Sequence, residues 1–135
     1  IEVSVDLARD IPRIRGDDQR LQQVLLNLIV NAEYAMQRTR IKQLAIHTAS
    51  AGQGVQLTVS DTGAGMTEET RQRVFEPFFT TKPAGQGTGL GLSVSYGIVQ
   101  AHGGNIAVES QVGSGSVFHI YLPASGATAP STLSA

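Results

Sequence analysis

Apolar and polar residues alternate in five short stretches of this chain, which is the period-2 pattern of strands with one buried face. The first stretch, with Ile1, Val3 and Val5, predicts a half-buried strand at the start of the sequence. The apolar positions of the four later stretches are Leu44 and Ile46; Val55, Leu57 and Val59; Ile106 and Val108; and Phe118, Ile120 and Leu122. The sequence therefore predicts five strands.

Three other stretches follow helical spacing. The first begins after Asp17, a favourable capping residue, and is predicted to run to about Arg38. Its apolar stripe comprises Leu21, Val24, Leu25, Leu28, Ala32 and Ala35. A short helix is predicted from Thr67 to Val74, and a third over residues 89–102. The predicted apolar face of the third helix is Leu90, Val94, Ile98 and Ala101.

Strand parity predicts two polar groups inside the apolar layer. Asp61 is an even number of residues from Val55, so its side chain is expected on the same, apolar face of the strand. The same count places Ser116 on the face of Phe118. An unpaired buried carboxylate is costly, so Asp61 is expected to meet a hydrogen-bond donor. An ordinary turn at Asp61 is the simpler alternative, and the shared parity counts against it. The two groups are therefore expected to share one ligand edge.

Asn27 and Asn31 lie four residues apart on one face of the first predicted helix, beside its apolar stripe. Their amide oxygens suit a hard cation such as Mg²⁺, which takes oxygen ligands. On the pair alone, two tolerated polar residues at the edge of a core are the simpler interpretation.

Glycines alternate through residues 85–91 and lead directly into the third predicted helix. Such a loop brings backbone N–H groups close to a ligand, and the helix N-terminus behind it favours phosphate. A flexible surface loop is the alternative. The chain has no Gly-Lys pair for a Walker A loop, and its G-x-G-x-G-x-G spacing differs from the dinucleotide fingerprint. With the Phe-rich segment 75–83 before it, this loop predicts a lid with a fixed hinge.

Composition narrows the class of protein. The chain has 135 residues, 41% of them apolar, which predicts one soluble globular domain. Its formal charge of −1 gives no excess of positive charge that would favour binding to nucleic acid. No apolar run approaches the roughly 20 residues of a spanning helix. The absence of cysteine fits a reducing cytoplasm. We expect the domain to occupy residues 1–123 and residues 124–135 to be a disordered linker or tail.

Four motifs, in order and spacing, resemble the N, G1, F and G2 boxes of the catalytic, ATP-binding domain of bacterial sensor histidine kinases. They are Asn27-Leu28-Ile29-Val30-Asn31-Ala32, Asp61-Thr62-Gly63-Ala64-Gly65-Met66, Phe75-Glu76-Pro77-Phe78-Phe79 and Gly87-Thr88-Gly89-Leu90-Gly91-Leu92. The resemblance covers about residues 1–123. It implies the α/β fold of gyrase- and Hsp90-like ATPases (the Bergerat fold), a two-layer α/β sandwich with a mixed sheet packed on three helices and a mobile ATP lid.

The resemblance also implies roles for single residues. Asp61 would accept a hydrogen bond from the adenine amino group, with Ser116 at the same edge, where the family usually has Thr. Asn31 would bind Mg²⁺, with Asn27 close to the metal and the phosphates. The further ATP-binding positions that it implies are Gly63, Gly65, Met66, Gly87, Thr88, Gly89, Leu90, Gly91 and Leu92. Lys82, in the lid, is a candidate for a terminal phosphate and equally a solvated lysine.

Some positions depart from the family pattern. Many members carry a basic residue and an aromatic residue soon after the second asparagine of the N box. Here Glu33 is acidic, Tyr34 and Ala35 follow, and Arg38 lies one turn beyond. The identity of a cationic phosphate clamp therefore stays open.

The resemblance implies transfer of the γ-phosphoryl group of ATP to a histidine. Related ATPases place Glu at the position of Asn27, and an amide cannot take the proton of an attacking water. His47, His102 and His119 do not begin a His-Glu or His-Asp motif on a helix. The acceptor is therefore expected on a helical dimerisation domain before Ile1, with a response-regulator receiver domain as the later partner.

The same resemblance predicts a cytoplasmic domain, monomeric alone and part of a homodimer at full length, with or without a membrane anchor. Three other functions stay open: a gyrase- or Hsp90-like hydrolytic ATPase, a non-catalytic binding module, and a serine-directed kinase of the anti-sigma-factor type. The signal that is sensed is not visible in this sequence.

Overall fold

Five strands form one sheet in the computed structural model, which describes residues 1–80 and 90–124. The strands are β1 (Glu2–Asp6), β2 (Gln43–Ala51), β3 (Gly54–Asp61), β4 (Asn105–Gln111) and β5 (Gly115–Pro123). Their order in the sheet is β1-β2-β3-β5-β4, with β1 parallel to β2 and the other neighbours antiparallel. The predicted mixed sheet is confirmed.

Three helices lie in the described residues: α1 (Asp18–Ala35), α2 (Glu68–Arg73) and α3 (Gly91–Ala101). The Asp17 side chain caps α1 by accepting hydrogen bonds from the backbone N–H groups of Gln19 and Arg20 at 3.0 and 3.2 Å. No helix in this part of the chain is long and apolar enough to cross a membrane. The predicted α/β sandwich with three helices is confirmed. Residues 81–89, part of the predicted lid, and residues 125–135, most of the predicted tail, lie outside the described residues, so these two expectations stay predictions.

The predicted end of the first helix was too late. α1 ends at Ala35, and Met36 takes a non-helical conformation as its C-cap. The Met36 side chain is fully buried, so this residue joins the core at the turn instead of extending the helix to Arg38.

The core lies between α1 and the central strands. Val24, Leu28 and Ala32 form the buried stripe of α1, as predicted. They belong to one cluster with inward-facing strand residues that include Phe118 and Ile120. This packing holds α1 against β3 and β5.

One predicted buried face, that of β1, was wrong, and that of α3 was correct at Ile98 but not at Val94. Val3 and Val5 are each 57% exposed, because β1 is an edge strand and the described helices pack on β3, β4 and β5. On α3 the buried residues are Ser95, Ile98 and Val99, whereas Val94 is 39% exposed. Contact with both α1 and β4 rotates this helix away from the face that its apolar spacing predicts.

His102 joins the end of α3 to the start of α1. Its Nε2 lies 3.0 Å from the backbone nitrogen of Asp17, an N–H donor, so Nε2 is the accepting nitrogen. Nδ1 then carries the proton and donates to the Ile98 carbonyl at 2.8 Å. This link fixes the position of the two helices that border the candidate site.

Candidate functional site

A cavity of about 430 Å³ opens between α1, the segment after β3, α2 and the first turn of α3. Its walls combine small backbone-exposing residues, apolar side chains and a few polar groups. The lining residues are Leu26, Asn27, Val30, Asn31, Tyr34, Ala35, Ala64, Gly65, Met66, Thr70, Val74, Phe79, Thr80, Gly91, Leu92 and Ser116. A concave, mainly apolar site with few polar groups is typical of small-molecule binding.

The two asparagines predicted from the sequence both line this cavity. The Asn27 Nδ2 atom lies 3.1 Å from the carbonyl oxygen of Gly91 and 3.1 Å from Ser95 Oγ. A carbonyl oxygen can only accept, so the atom facing it must be the amide nitrogen. The remaining polar atom of Asn27, Oδ1, is therefore an acceptor for a ligand or a cation.

Asp61 is buried at the end of β3, as its parity predicts, and is 7% exposed. Its Oδ1 accepts a hydrogen bond from the Gly63 N–H at 2.8 Å, and the Ser116 N–H is a second backbone donor to the carboxylate. Burial raises the pKa of Asp61 above the ordinary value, and these two hydrogen bonds offset the rise only in part. Ser116, its partner on the neighbouring strand, lines the cavity, whereas Asp61 is not among the lining residues.

The Ser116 hydroxyl belongs to a small network of polar groups. It lies 2.8 Å from Ser110 Oγ, which accepts from the Met66 N–H at 2.7 Å and donates to the Gly115 carbonyl at 3.1 Å. Ser110 was not predicted as a residue of the site. Its side chain lies on the same face of β4 as Ile106 and Val108, and it pairs with Ser116 across the hairpin. Met66 and Ser116 are thereby held at one edge of the cavity.

The segment after β3 is held by backbone hydrogen bonds to the end of α1 on one side and to the β4–β5 turn on the other. The Ala64 N–H donates to the carbonyl of Ala35 at the end of α1, and the Ala64 carbonyl accepts from the Gly113 N–H at 2.8 Å. Gly65 has a φ of 73°, and a Cβ there would lie 2.0 Å from the Gln111 carbonyl oxygen. Only glycine fits this close approach, so the wall of the cavity depends on it.

One apolar wall of the cavity was not predicted. Leu26 and Val30 are 58% and 49% exposed, and both line the cavity one helical turn apart, with Tyr34 a further turn along. Their spacing of four residues, outside the buried stripe, was the sequence signal. Exposed apolar groups beside a cavity suit a flat, mainly apolar ligand.

Of the ten predicted site residues that the structure describes, seven lie together around the cavity. Asn27, Asn31, Gly65, Met66, Gly91, Leu92 and Ser116 line the cavity. Gly63 and Leu90 lie beside it, the first with its N–H bonded to Asp61 and the second at the N-cap of α3. Lys82, Gly87, Thr88 and Gly89 lie outside the described residues, so their predicted roles stay predictions.

The polar side chains that line the cavity could hold a hard cation only if a bound ligand supplied further oxygen atoms. No group of three or more His, Cys, Asp or Glu residues that could hold a metal occurs in residues 1–80 and 90–124. Asn27 and Asn31 offer two amide side chains at the same cavity. Mg²⁺ commonly keeps few protein ligands and completes its shell with waters and substrate phosphates, so the residues present fit this ion.

Known sensor kinases resemble this chain over most of its length. It is 46% identical over 114 residues to the sensor histidine kinase ZraS of Klebsiella oxytoca, covering 84% of this chain and 24% of that protein. It is 40% identical over 136 residues to the sensor kinase CckA of Brucella abortus, covering 91% of this chain and 14% of that protein. The chain therefore spans about a quarter or less of these relatives.

Solved structures resemble the fold as well. The catalytic domain of the histidine kinase ThkA, in a nucleotide-free form, has a TM-score of 0.77 at 32% identity, covering 90% of this chain and 79% of that one. Full-length ShkA in complex with AMPPNP has a TM-score of 0.79 at 32% identity, covering 96% of this chain and 27% of that one. Residues 16–126 match the model of one family. The chain belongs to the histidine kinase-, DNA gyrase B- and HSP90-like ATPase family.

Proposed function

We propose that this chain is the ATP-binding catalytic domain of a two-component sensor histidine kinase. In this proposal it transfers the γ-phosphoryl group of ATP to a histidine on a separate helical dimerisation domain. The similarity to the sensor histidine kinase ZraS and to the sensor kinase CckA supports the proposal, as does the similarity to the ShkA structure with AMPPNP.

The observation that carries the proposal is the chemistry of the cavity wall. Among its described lining residues there is no carboxylate and no imidazole. Asn27 stands where the related hydrolytic ATPases have Glu, and its amide cannot act as a general base for water. A site that binds and orients a nucleotide without activating water favours transfer to an external acceptor over hydrolysis.

The base of the nucleotide is proposed to lie against the apolar wall of α1, at Leu26 and Val30. Ser116, which lines the cavity, would contact the edge of adenine that bears the exocyclic amino group. The carboxylate of Asp61, which is 7% exposed and not among the lining residues, would accept a hydrogen bond from that amino group once the bound base reaches into the wall beside Ser116. Guanine presents a carbonyl acceptor at that position, so a carboxylate there selects adenine. The backbone donors from Gly63 and Ser116 hold the Asp61 carboxylate in place.

The phosphates are proposed to lie between the two asparagines and the first turn of α3. The phosphates would meet the N-terminal end of α3, where the backbone N–H groups of the first turn and the helix dipole favour an anion. Asn27 and Asn31 would hold Mg²⁺ through their Oδ1 atoms. When bound, the ion neutralises phosphate charge.

The wider setting belongs to the same proposal. The acceptor domain would precede this domain in a homodimeric full-length protein, and a receiver domain would take the phosphoryl group from it. The domain itself would be cytoplasmic and monomeric, whether or not the full-length protein carries a membrane anchor.

The test mixes the 135-residue chain with a separately produced dimerisation domain of the same full-length protein and with γ-labelled ATP and Mg²⁺. We expect label on the dimerisation domain that is lost in acid and kept in base, which is the signature of phosphohistidine. The chain alone should bind ATP, hydrolyse it slowly and stay unlabelled. A dimerisation domain whose acceptor histidine is replaced by glutamine is the control.

Other results would point to other functions. Rapid ATP turnover by the chain alone would support a hydrolytic ATPase. Acid-stable label on a protein substrate would support the serine-directed kinase. The absence of any ATP binding would leave a non-catalytic module.

A further inference from the structure

We infer that Ser95 is a positioning residue of the nucleotide site, which acts by orienting the Asn27 side chain. This inference rests on the proposed function, because it assumes that Asn27 Oδ1 faces a metal–nucleotide complex. Ser95 is on α3, is 0% exposed and does not line the cavity. Any effect of Ser95 on a bound nucleotide must therefore pass through another residue.

The hydrogen atoms of this cluster can be assigned one by one. Ser95 Oγ lies 2.9 Å from the Gly91 carbonyl and donates its single proton to it. Toward Asn27, 3.1 Å away, Ser95 Oγ can then only accept. Both hydrogens of Asn27 Nδ2 are consequently used, one on Ser95 Oγ and one on the Gly91 carbonyl.

This arrangement permits only one orientation of the Asn27 amide. If the amide turned over, its oxygen would face the Gly91 carbonyl, and two acceptors would lie against each other. The hydroxyl of Ser95 is already committed to Gly91, so it cannot donate to a reversed amide without giving up that bond. Among the contacts between described residues, both hydrogens of the Asn27 side chain are used and Oδ1 is left as an acceptor.

The burial of Ser95 supports a role for its hydroxyl. Serine is a weaker helix former than alanine, and a fully buried hydroxyl must be hydrogen-bonded. Alanine would fill this position between α3 and the core at lower cost if packing were the only requirement. Instead, the hydroxyl connects α1 to the first turn of α3, where Asn27 and Gly91 both line the cavity.

The principal test is Ser95→Ala in the 135-residue chain, titrated with ATP in the presence of Mg²⁺ and again in the presence of EDTA. Loss of one neutral hydrogen bond corresponds to about three- to tenfold in an equilibrium constant. We expect a loss of that size in affinity with Mg²⁺ and no change with EDTA. Ser93→Ala is the matched control, because the Ser93 hydroxyl donates to the Leu90 carbonyl on the same helix at 3.0 Å.

A double-mutant cycle separates positioning from packing. In the Asn27→Ala background, adding Ser95→Ala should cause no further loss of affinity, because the group through which Ser95 acts is gone. If Ser95→Ala weakens binding equally with EDTA, or by the same factor in the Asn27→Ala background, Ser95 acts through packing and the inference is wrong.

A measurement without nucleotide keeps the inference independent of the proposed function. By NMR, the two side-chain amide protons of Asn27 should exchange slowly with water in the unsubstituted chain and faster in Ser95→Ala. Ser95→Cys, which nearly keeps the side-chain volume with a weaker donor, should also speed this exchange. Unchanged exchange in both variants would overturn the inference, whereas failure of the unsubstituted chain to bind ATP would instead overturn the proposed function.

Discussion

Asp61 and Ser116 face each other on β3 and β5, and the backbone N–H of Ser116 donates a hydrogen bond to the Asp61 carboxylate. Both residues are buried, at 7% and 4% exposure. Ser116 lines the cavity, whereas Asp61 is not among its lining residues. Adjacent strands thus place a charged acceptor and a hydroxyl at one edge of the candidate site.

The substitution Asp61→Asn should weaken binding of adenine nucleotides while the fold is retained. The amide loses the charge of the proposed acceptor, and a hydrogen bond to a charged group contributes about 1.5 to 3 kcal/mol. We expect a loss of roughly 10- to 100-fold in ATP affinity by calorimetry. Asp10→Asn, at an exposed position outside the cavity, is the control. Normal ATP binding by Asp61→Asn would show that the Asp61 carboxylate does not contact the base.

The raised pKa of Asp61 predicts how stability changes with pH. A carboxyl group with a higher pKa in the folded state holds its proton more tightly there, so it favours folding at acidic pH. That contribution is lost as pH rises from 3.8, the ordinary pKa, through the higher folded-state pKa. Relative to Asp61→Asn, the free energy of unfolding of the unsubstituted chain should therefore fall as pH rises above 3.8 and level off once pH exceeds the folded-state pKa of Asp61. Urea unfolding of both proteins at a series of pH values measures the difference between their free energies of unfolding. If the unsubstituted chain instead became more stable relative to Asp61→Asn as pH rises, burial would not be the dominant cause of the pKa shift.

Asn31→Ala should reduce the part of ATP affinity that depends on Mg²⁺. The substitution removes an oxygen donor from the cavity, and we expect a loss of about tenfold or more with Mg²⁺ and little change with EDTA. Titrations under both conditions measure the difference. Gln23→Ala, on an exposed position of α1, is the matched control. If the dependence on Mg²⁺ persists unchanged, another group holds the ion.

Gly65→Ala should destabilise the fold more than Gly113→Ala does. Both glycines have positive φ, 73° and 83°, so each substitution forces alanine into a strained conformation that costs about 1 to 2 kcal/mol. At Gly113 a Cβ would meet nothing within 4 Å, but at Gly65 it would lie 2.0 Å from the Gln111 carbonyl. We expect Gly65→Ala to cost more than about 3 kcal/mol in free energy of unfolding, measured with urea. Equal losses in the two variants would show that the contact with Gln111 relaxes freely.

Local periodicity by itself determined several features of the site. The parity of β3 and β5 follows from covalent geometry, and it correctly predicted that Asp61 and Ser116 are buried. The spacing of Asn27 and Asn31 likewise predicted that they share one helical face, and both line the cavity. Such predictions hold because they depend only on the repeat of one element.

The tertiary structure decided which of these faces are covered and which polar groups meet. Val3 and Val5 have the strand pattern that was predicted, but β1 is an edge strand outside the helical layer and leaves them exposed. Ser95 has no local signal for its role, because its partner Asn27 is 68 residues away in the sequence. Contacts between distant elements depend on how those elements pack, and the repeat of a single element carries no information about that packing.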